Sequence, residues 1–248
     1  MLAAAARCPR FVPDPAEAAA AGLVKICGLT DEPAVHAALN AGADLVGLVF
    51  VEGSRRFVRP VAAGPLARVA ARAGTPIVGL FQNPALSEIE EVLESVPLDF
   101  IQLHGTETHD DVTRIGAGFG LPIIKAVGVS GAGDLYQAAG YEADLMLYDA
   151  KPPRGAAAAG GHGAAFDWEV LWEAEHRLPW LLAGGLTAET VADAVGAVGD
   201  IEGFRGLDVS SGVESAPGIK DAAAVRRFVR AARAAMAGAQ SEDDHDHG

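Results

Sequence analysis

From Leu23 onward the chain alternates short runs of β-branched and leucine residues with longer alanine-rich stretches. Each run passes through a polar or glycine turn into the next stretch, the pattern of a parallel sheet with crossover helices. Strands are expected near 23–27, 44–49, 76–81, 98–103, 122–127, 144–149, 179–183 and 204–209. Helices are expected near 31–40, 60–73, 84–95, 107–117, 132–140, 166–175, 187–198 and 219–237. Eight such units in about 215 residues fit an α/β fold of the closed (β/α)8 TIM barrel type. A doubly wound sheet would more often carry GxGxxG after its first strand, and here that strand ends in CGLT.

Local signals mark several helix ends. Thr30 precedes an acidic first turn and Gly42 offers a stop. Asn83 reads as a cap with Pro84 at the first helical position. Thr187 reads as another cap, and Thr190 stands where a Glu would complete a capping box, so no box is expected there. Two linkers exceed a minimal connection, FVEGSRRFVRP and AKPPRGAAAAGGHGAAF, each after a strand end where this fold builds its pocket.

Period two gives each strand two faces. In LVKIC, Val24 and Ile26 pack outward on helices, which sends Lys25 and Cys27 into the barrel. Strand 8 places Asp208 inward, and barrel closure sets that strand beside the first, so Asp208 offsets the buried charge of Lys25. Strand 6, DLMLYD, points Leu145, Leu147 and Asp149 inward, with Asp149 at the carboxyl-terminal mouth. A thiolate and a carboxylic acid facing each other across a small ligand form a base and acid pair for moving a proton between adjacent atoms. A lone inward cysteine also serves as a small hydrophobe. The turns AGGL, with Gly184 and Gly185, and SSG, with Ser210, Ser211 and Gly212, follow strands 7 and 8. That is where barrels of this type hold phosphate.

Composition narrows the class further. With 19 basic and 33 acidic side chains among 248 residues the formal net charge is −14, which argues against nucleic acid or an anionic membrane as partner. Cys8 and Cys27 are too few for a disulfide framework, so a reducing, cytoplasmic compartment is expected. No apolar run approaches the roughly 20 residues of a membrane span. Residues 1–22 read as an extension or extra helix, 23–237 as the barrel, and 238–248 as an acidic, histidine-bearing tail.

In order, VKICGLT, GADLVGLVF with SRRFV, VGLFQN, IQLHG, LYDA, FDW, LLAGGL, GLDVSSGVE and PGIKD resemble the phosphoribosylanthranilate isomerase family of tryptophan biosynthesis, over residues 23 to about 230. The resemblance implies a cofactor-free, metal-free Amadori rearrangement of a phosphoribosyl substrate. It implies Cys27 as general base, Asp149 as general acid and Arg56 at the anthranilate end. Lys25, His104 and Asp208 are expected beside the substrate. His162 stands where the family has threonine (GGHG for GGTG) and is expected near the phosphate, with the two glycine turns. Arg55 replaces the family's proline in SPRF, so the loop loses a fixed φ. Two alternatives stay open. A histidine-pathway or bifunctional isomerase would resemble aspartate at the position of Cys27, and a non-catalytic barrel would keep the phosphate turns without the thiol and acid. A monomer and a homodimer are equally compatible with the alanine-rich helices.

Overall fold

In a computed structural model, residues 22–151 and 167–243 are described. His162, residues 1–21 and residues 244–248 lie outside them. Eight parallel strands close into a barrel: β1 Leu23–Cys27, β2 Leu45–Val49, β3 Ile77–Phe81, β4 Phe100–Leu103, β5 Ile123–Val129, β6 Leu145–Ala150, β7 Trp180–Leu182 and β8 Phe204–Val209. The helices are α1 Glu32–Ala41, α2 Pro60–Arg72, α3 Leu86–Ser95, α4 His109–Phe119, α5 Ala132–Ala138, α6 Val191–Val198 and α7 Ala222–Asp243. None of the described helices is long and apolar enough to cross a membrane.

The two-face pattern of the strands is what closes the barrel. Val78, Ile124, Leu147 and Leu181 meet inside it, while Val24, Ile26, Leu207 and Val209 belong to the larger apolar layer between sheet and helices. Full burial of a residue such as Leu147 contributes about 1.5–3 kcal/mol. At the closing seam β1 pairs with β8, and Lys25 is the register partner of Asp208. That register depends on an irregularity between β7 and β8. Trp180 pairs with Phe204, but Leu181 pairs with Gly206, so β8 carries one extra residue. Phe204 packs outward against Trp180, with ring centroids 5.1 Å apart. Strict alternation from Phe204 would turn Asp208 outward as well; the bulge advances the phase by one and turns it in.

Several local expectations are corrected. The cap of α1 is Asp31, whose Oδ1 accepts from Ala34 N–H at 2.8 Å, while the Thr30 hydroxyl donates to Gly218 O. Gly42 does end that helix, at φ 87°. Asn83 caps nothing: it takes φ 48° and its side-chain oxygen accepts from Thr106 N–H at 2.8 Å, so α3 begins after Ala85. Thr187 does accept from Glu189 and Thr190 N–H, and Thr190 Oγ1 accepts in return from Thr187 N–H at 3.0 Å. A threonine thus completes the reciprocal capping pair thought to need a Glu, and α6 itself starts at Val191. The helix expected at 166–175 is a 3-10 segment, Trp168–Glu173, capped by Asp167, whose side chain accepts from Glu169 N–H. Before α7 an unforeseen hairpin forms, β9 Glu214–Ala216 with β10 Ile219–Lys220, and α7 runs to Asp243 rather than ending at 237.

Candidate active site

The end of β1 carries the first cluster. Lys25 Nζ donates to Asp208 Oδ1 at 2.7 Å, both side chains being buried. Burial alone would pull the lysine down, but the Asp208 carboxylate and then Cys27 more than offset it, so the ammonium is held above its usual range. Cys27 lies two residues further along the same inward face and is buried. Burial pushes its thiol up; Lys25 and, more weakly, Lys220 oppose that, while Asp208 adds to it. Burial outweighs the two lysines, so the thiol is held above its usual range.

A second layer of contacts closes over this end. Ser210 Oγ donates to Cys27 O at 3.0 Å. Lys220 Nζ donates to Ser210 O at 2.9 Å and to Glu214 Oε1 at 2.8 Å. Arg56 grips the same Glu214 with two bonds, Nε at 2.7 Å and a terminal nitrogen at 2.9 Å. The β9–β10 hairpin supplies both Glu214 and Lys220, so it ties the long β2–α2 loop to the end of β8. Burial raises Glu214 and the bonds from Arg56 and Lys220 lower it more, so its carboxyl sits below the usual range. Burial draws Lys220 down despite Glu214.

Asp149 closes β6 with its own partners. Oδ1 accepts from Ala150 N–H at 2.8 Å, and Oδ2 lies 3.3 Å from His104 Nε2. His104 Nδ1 lies 3.0 Å from Gln102 Nε2, and Gln102 is fully buried inside the barrel. The loop that carries His104 is pinned by Glu107, which accepts from Asn83 N–H at 2.7 Å, from Gly105 N–H at 3.0 Å and from Lys125 Nζ at 2.7 Å. Gly184 follows β7 at φ 86°, and a Cβ there would lie 2.5 Å from Ala150 N and 2.9 Å from Asp149 Oδ1. Only glycine lets the backbone pass that close to the carboxylate. Gly212 approaches the other glycine turn as tightly: a Cβ would fall 1.9 Å from Leu186 O, so the segments after β7 and β8 touch. Gly185 follows Gly184 at φ 66°, and Ser211 opens a short 3-10 turn, Ser211–Val213.

Of the residues singled out from sequence, Lys25, Cys27, Asp208, Ser210 and Arg56 therefore gather around the ends of β1 and β8. Asp149, His104 and Gly184 gather around the ends of β4, β6 and β7. Asp208 faces Lys25, and Arg56 faces Glu214. Glu214, Lys220 and Gln102 were missed. All three stand in the segments GLDVSSGVE, PGIKD and IQLHG, and a glutamate followed six residues later by a lysine around a Pro-Gly turn is a hairpin signal.

Comparisons with known proteins agree with one another. Residues 24–231 match the family model described as N-(5'phosphoribosyl)anthranilate (PRA) isomerase. The N-(5'-phosphoribosyl)anthranilate isomerase of Paramagnetospirillum magneticum is 50% identical over 212 residues, 85% of this chain and 96% of that protein. The crystal structure of phosphoribosyl anthranilate isomerase from Thermotoga maritima superposes with a TM-score of 0.76 at 35% identity, covering 86% of this chain and 99% of that one. A further structure of such an isomerase, in complex with reduced 1-(o-carboxyphenylamino)-1-deoxyribulose 5-phosphate, gives a TM-score of 0.73 at 32% identity over the same 86% and 99%.

Proposed function

The chain belongs to the N-(5'-phosphoribosyl)anthranilate isomerase family, and from that premise we propose that it isomerises N-(5-phosphoribosyl)anthranilate to 1-(2-carboxyphenylamino)-1-deoxyribulose 5-phosphate, a step of tryptophan biosynthesis. Asp149, as the acid, gives a proton to the ribose ring oxygen. The C1′–O bond breaks, and the anthranilate nitrogen's lone pair makes an iminium. Cys27, as thiolate, takes the C2′ proton, and the C–H electrons flow into the iminium to give an enolamine, which tautomerises to the ketone. The iminium is the electron sink, so the protein's own groups suffice for the proton transfers.

What carries this reading is the inward placement of Cys27 and Asp149 on strands of one barrel, each at its strand's carboxyl end. Lys25 and Lys220 both favour the thiolate that the base step needs, against the burial that disfavours it. The touching turns at Gly184, Gly185 and Ser210–Gly212, whose backbone N–H groups suit an anion, anchor the phosphate. Arg56 meets the anthranilate carboxylate, in exchange for or alongside Glu214. The test is direct. Substrate is generated in situ from anthranilate and phosphoribosyl pyrophosphate, and its fluorescence is followed. Rapid decay on adding the protein is expected; a trace no faster than spontaneous breakdown would overturn the assignment.

A further inference from the structure

Gln102 is fully buried and stands at the inner end of a chain of contacts that runs through His104 to Asp149. In the orientation assigned to its carboxamide, Nε2 faces His104 Nδ1 at 3.0 Å and Oε1 is a buried oxygen without a hydrogen-bond partner. An amide N–H aimed at Nδ1 needs a lone pair there. The imidazole proton then sits on Nε2, facing Asp149 Oδ2 at 3.3 Å. A proton on Nδ1 would set N–H against N–H there, so the amide favours the tautomer with its proton on Nε2. This matters for an acid catalyst. An imidazolium beside Asp149 would hold the carboxyl ionised, leaving it no proton to give. A neutral Nε2–H tolerates the acid form and donates a stronger bond once charge develops on Oδ2, as does Ala150 N–H at Oδ1.

We propose that Gln102 is a positioning residue for the reaction, fixing His104 as the neutral Nε2–H tautomer so that Asp149 can carry the proton it delivers. The inference rests on the isomerase reading given above, and its test separates the two. Nitrogen-15 spectra of His104 in the unliganded protein report the tautomer with no turnover involved, while wild-type turnover reports the isomerase reading alone. In the wild type at pH 7, His104 should show a pyrrole-type Nε2 and a pyridine-type Nδ1. Gln102→Glu, of the same shape, puts an acceptor opposite Nδ1 and should convert the ring to imidazolium, with kcat down about 100-fold and KM changed less than about threefold. Gln102→Met should give mixed tautomers and an intermediate loss in kcat, about tenfold. A wild-type ring already charged or protonated on Nδ1 would overturn the proposal. So would a Gln102→Glu protein whose His104 signals and kcat match the wild type, or variants that lose thermal stability while kcat per folded molecule holds.

Discussion

Two buried lysine–carboxylate pairs, Lys25–Asp208 and Lys125–Glu107, have the same N···O separation of 2.7 Å and almost no exposure. They lie on opposite faces of one sheet. Lys25 shares the inward face with Cys27 and has Asp208 as its bonded partner. Lys125 points outward from β5, where it also donates to Gly105 O at 3.0 Å and lies over the Tyr141 ring. Lys25 is held above the usual lysine range by Asp208 and Cys27, whereas burial draws Lys125 below it despite Glu107. Distance and burial therefore do not separate a pair that sets a reactive group from one that ties down a loop. What faces the lysine does: a thiol in one case, backbone carbonyls and a glutamate that holds the His104 loop in the other.

The linkage signs differ accordingly. Lys25 contributes stability in full below its unfolded value of about 10.4 and loses it as pH rises through the higher folded value. Lys125, with its folded value below about 10.4, gains stability as pH rises from that lower value up to about 10.4 and changes no further above it.

Removing one cation should separate the two pairs most strongly. Lys25→Met leaves Asp208 charged and buried, and should cost about 3–5 kcal/mol in urea unfolding together with most activity. A variant as stable as the wild type would mean Asp208 finds another partner. Glu107→Gln should cost less, about 1.5–3 kcal/mol, because Lys125 keeps its carbonyl partners and can shed its proton. Activity per folded molecule should fall far less than for Lys25→Met; equal losses would erase the distinction between the pairs. The smallest effect concerns the thiol. Alkylation of Cys27 by iodoacetamide should rise with a midpoint above the ordinary thiol value of about 8.5, and Lys220→Met should move it higher by a fraction of a unit. A midpoint below the ordinary value would show that the lysines, not burial, dominate.

Much of the barrel was legible because strand alternation is local. Val24 and Ile26 against Lys25 and Cys27 could be sorted from five residues, and closure then required a partner for Lys25 on β8. The rest depended on contacts distant in sequence. Nothing near Arg205 announces the bulge that turns Asp208 inward, since it answers to Trp180 packing on β7. Asn83 reads as a cap until Thr106, 23 residues on, claims its oxygen. Glu214 and Lys220 become site neighbours only through a hairpin that brings them to Arg56 and Ser210. Gln102 looks like a strand polar residue until His104 folds back over it. Residue types at strand ends were readable; the partners that orient them were not.

In the proposed reaction the Cys27 thiol and the Asp149 carboxyl divide one isomerisation between them. Cys27→Ala and Asp149→Asn, assayed beside the wild type with binding of a reduced product analogue measured by calorimetry, test it most directly. Each variant should bind the analogue within a few-fold of the wild type and turn over about 100- to 10,000-fold more slowly. Wild-type turnover in either one would remove that residue from the chemistry.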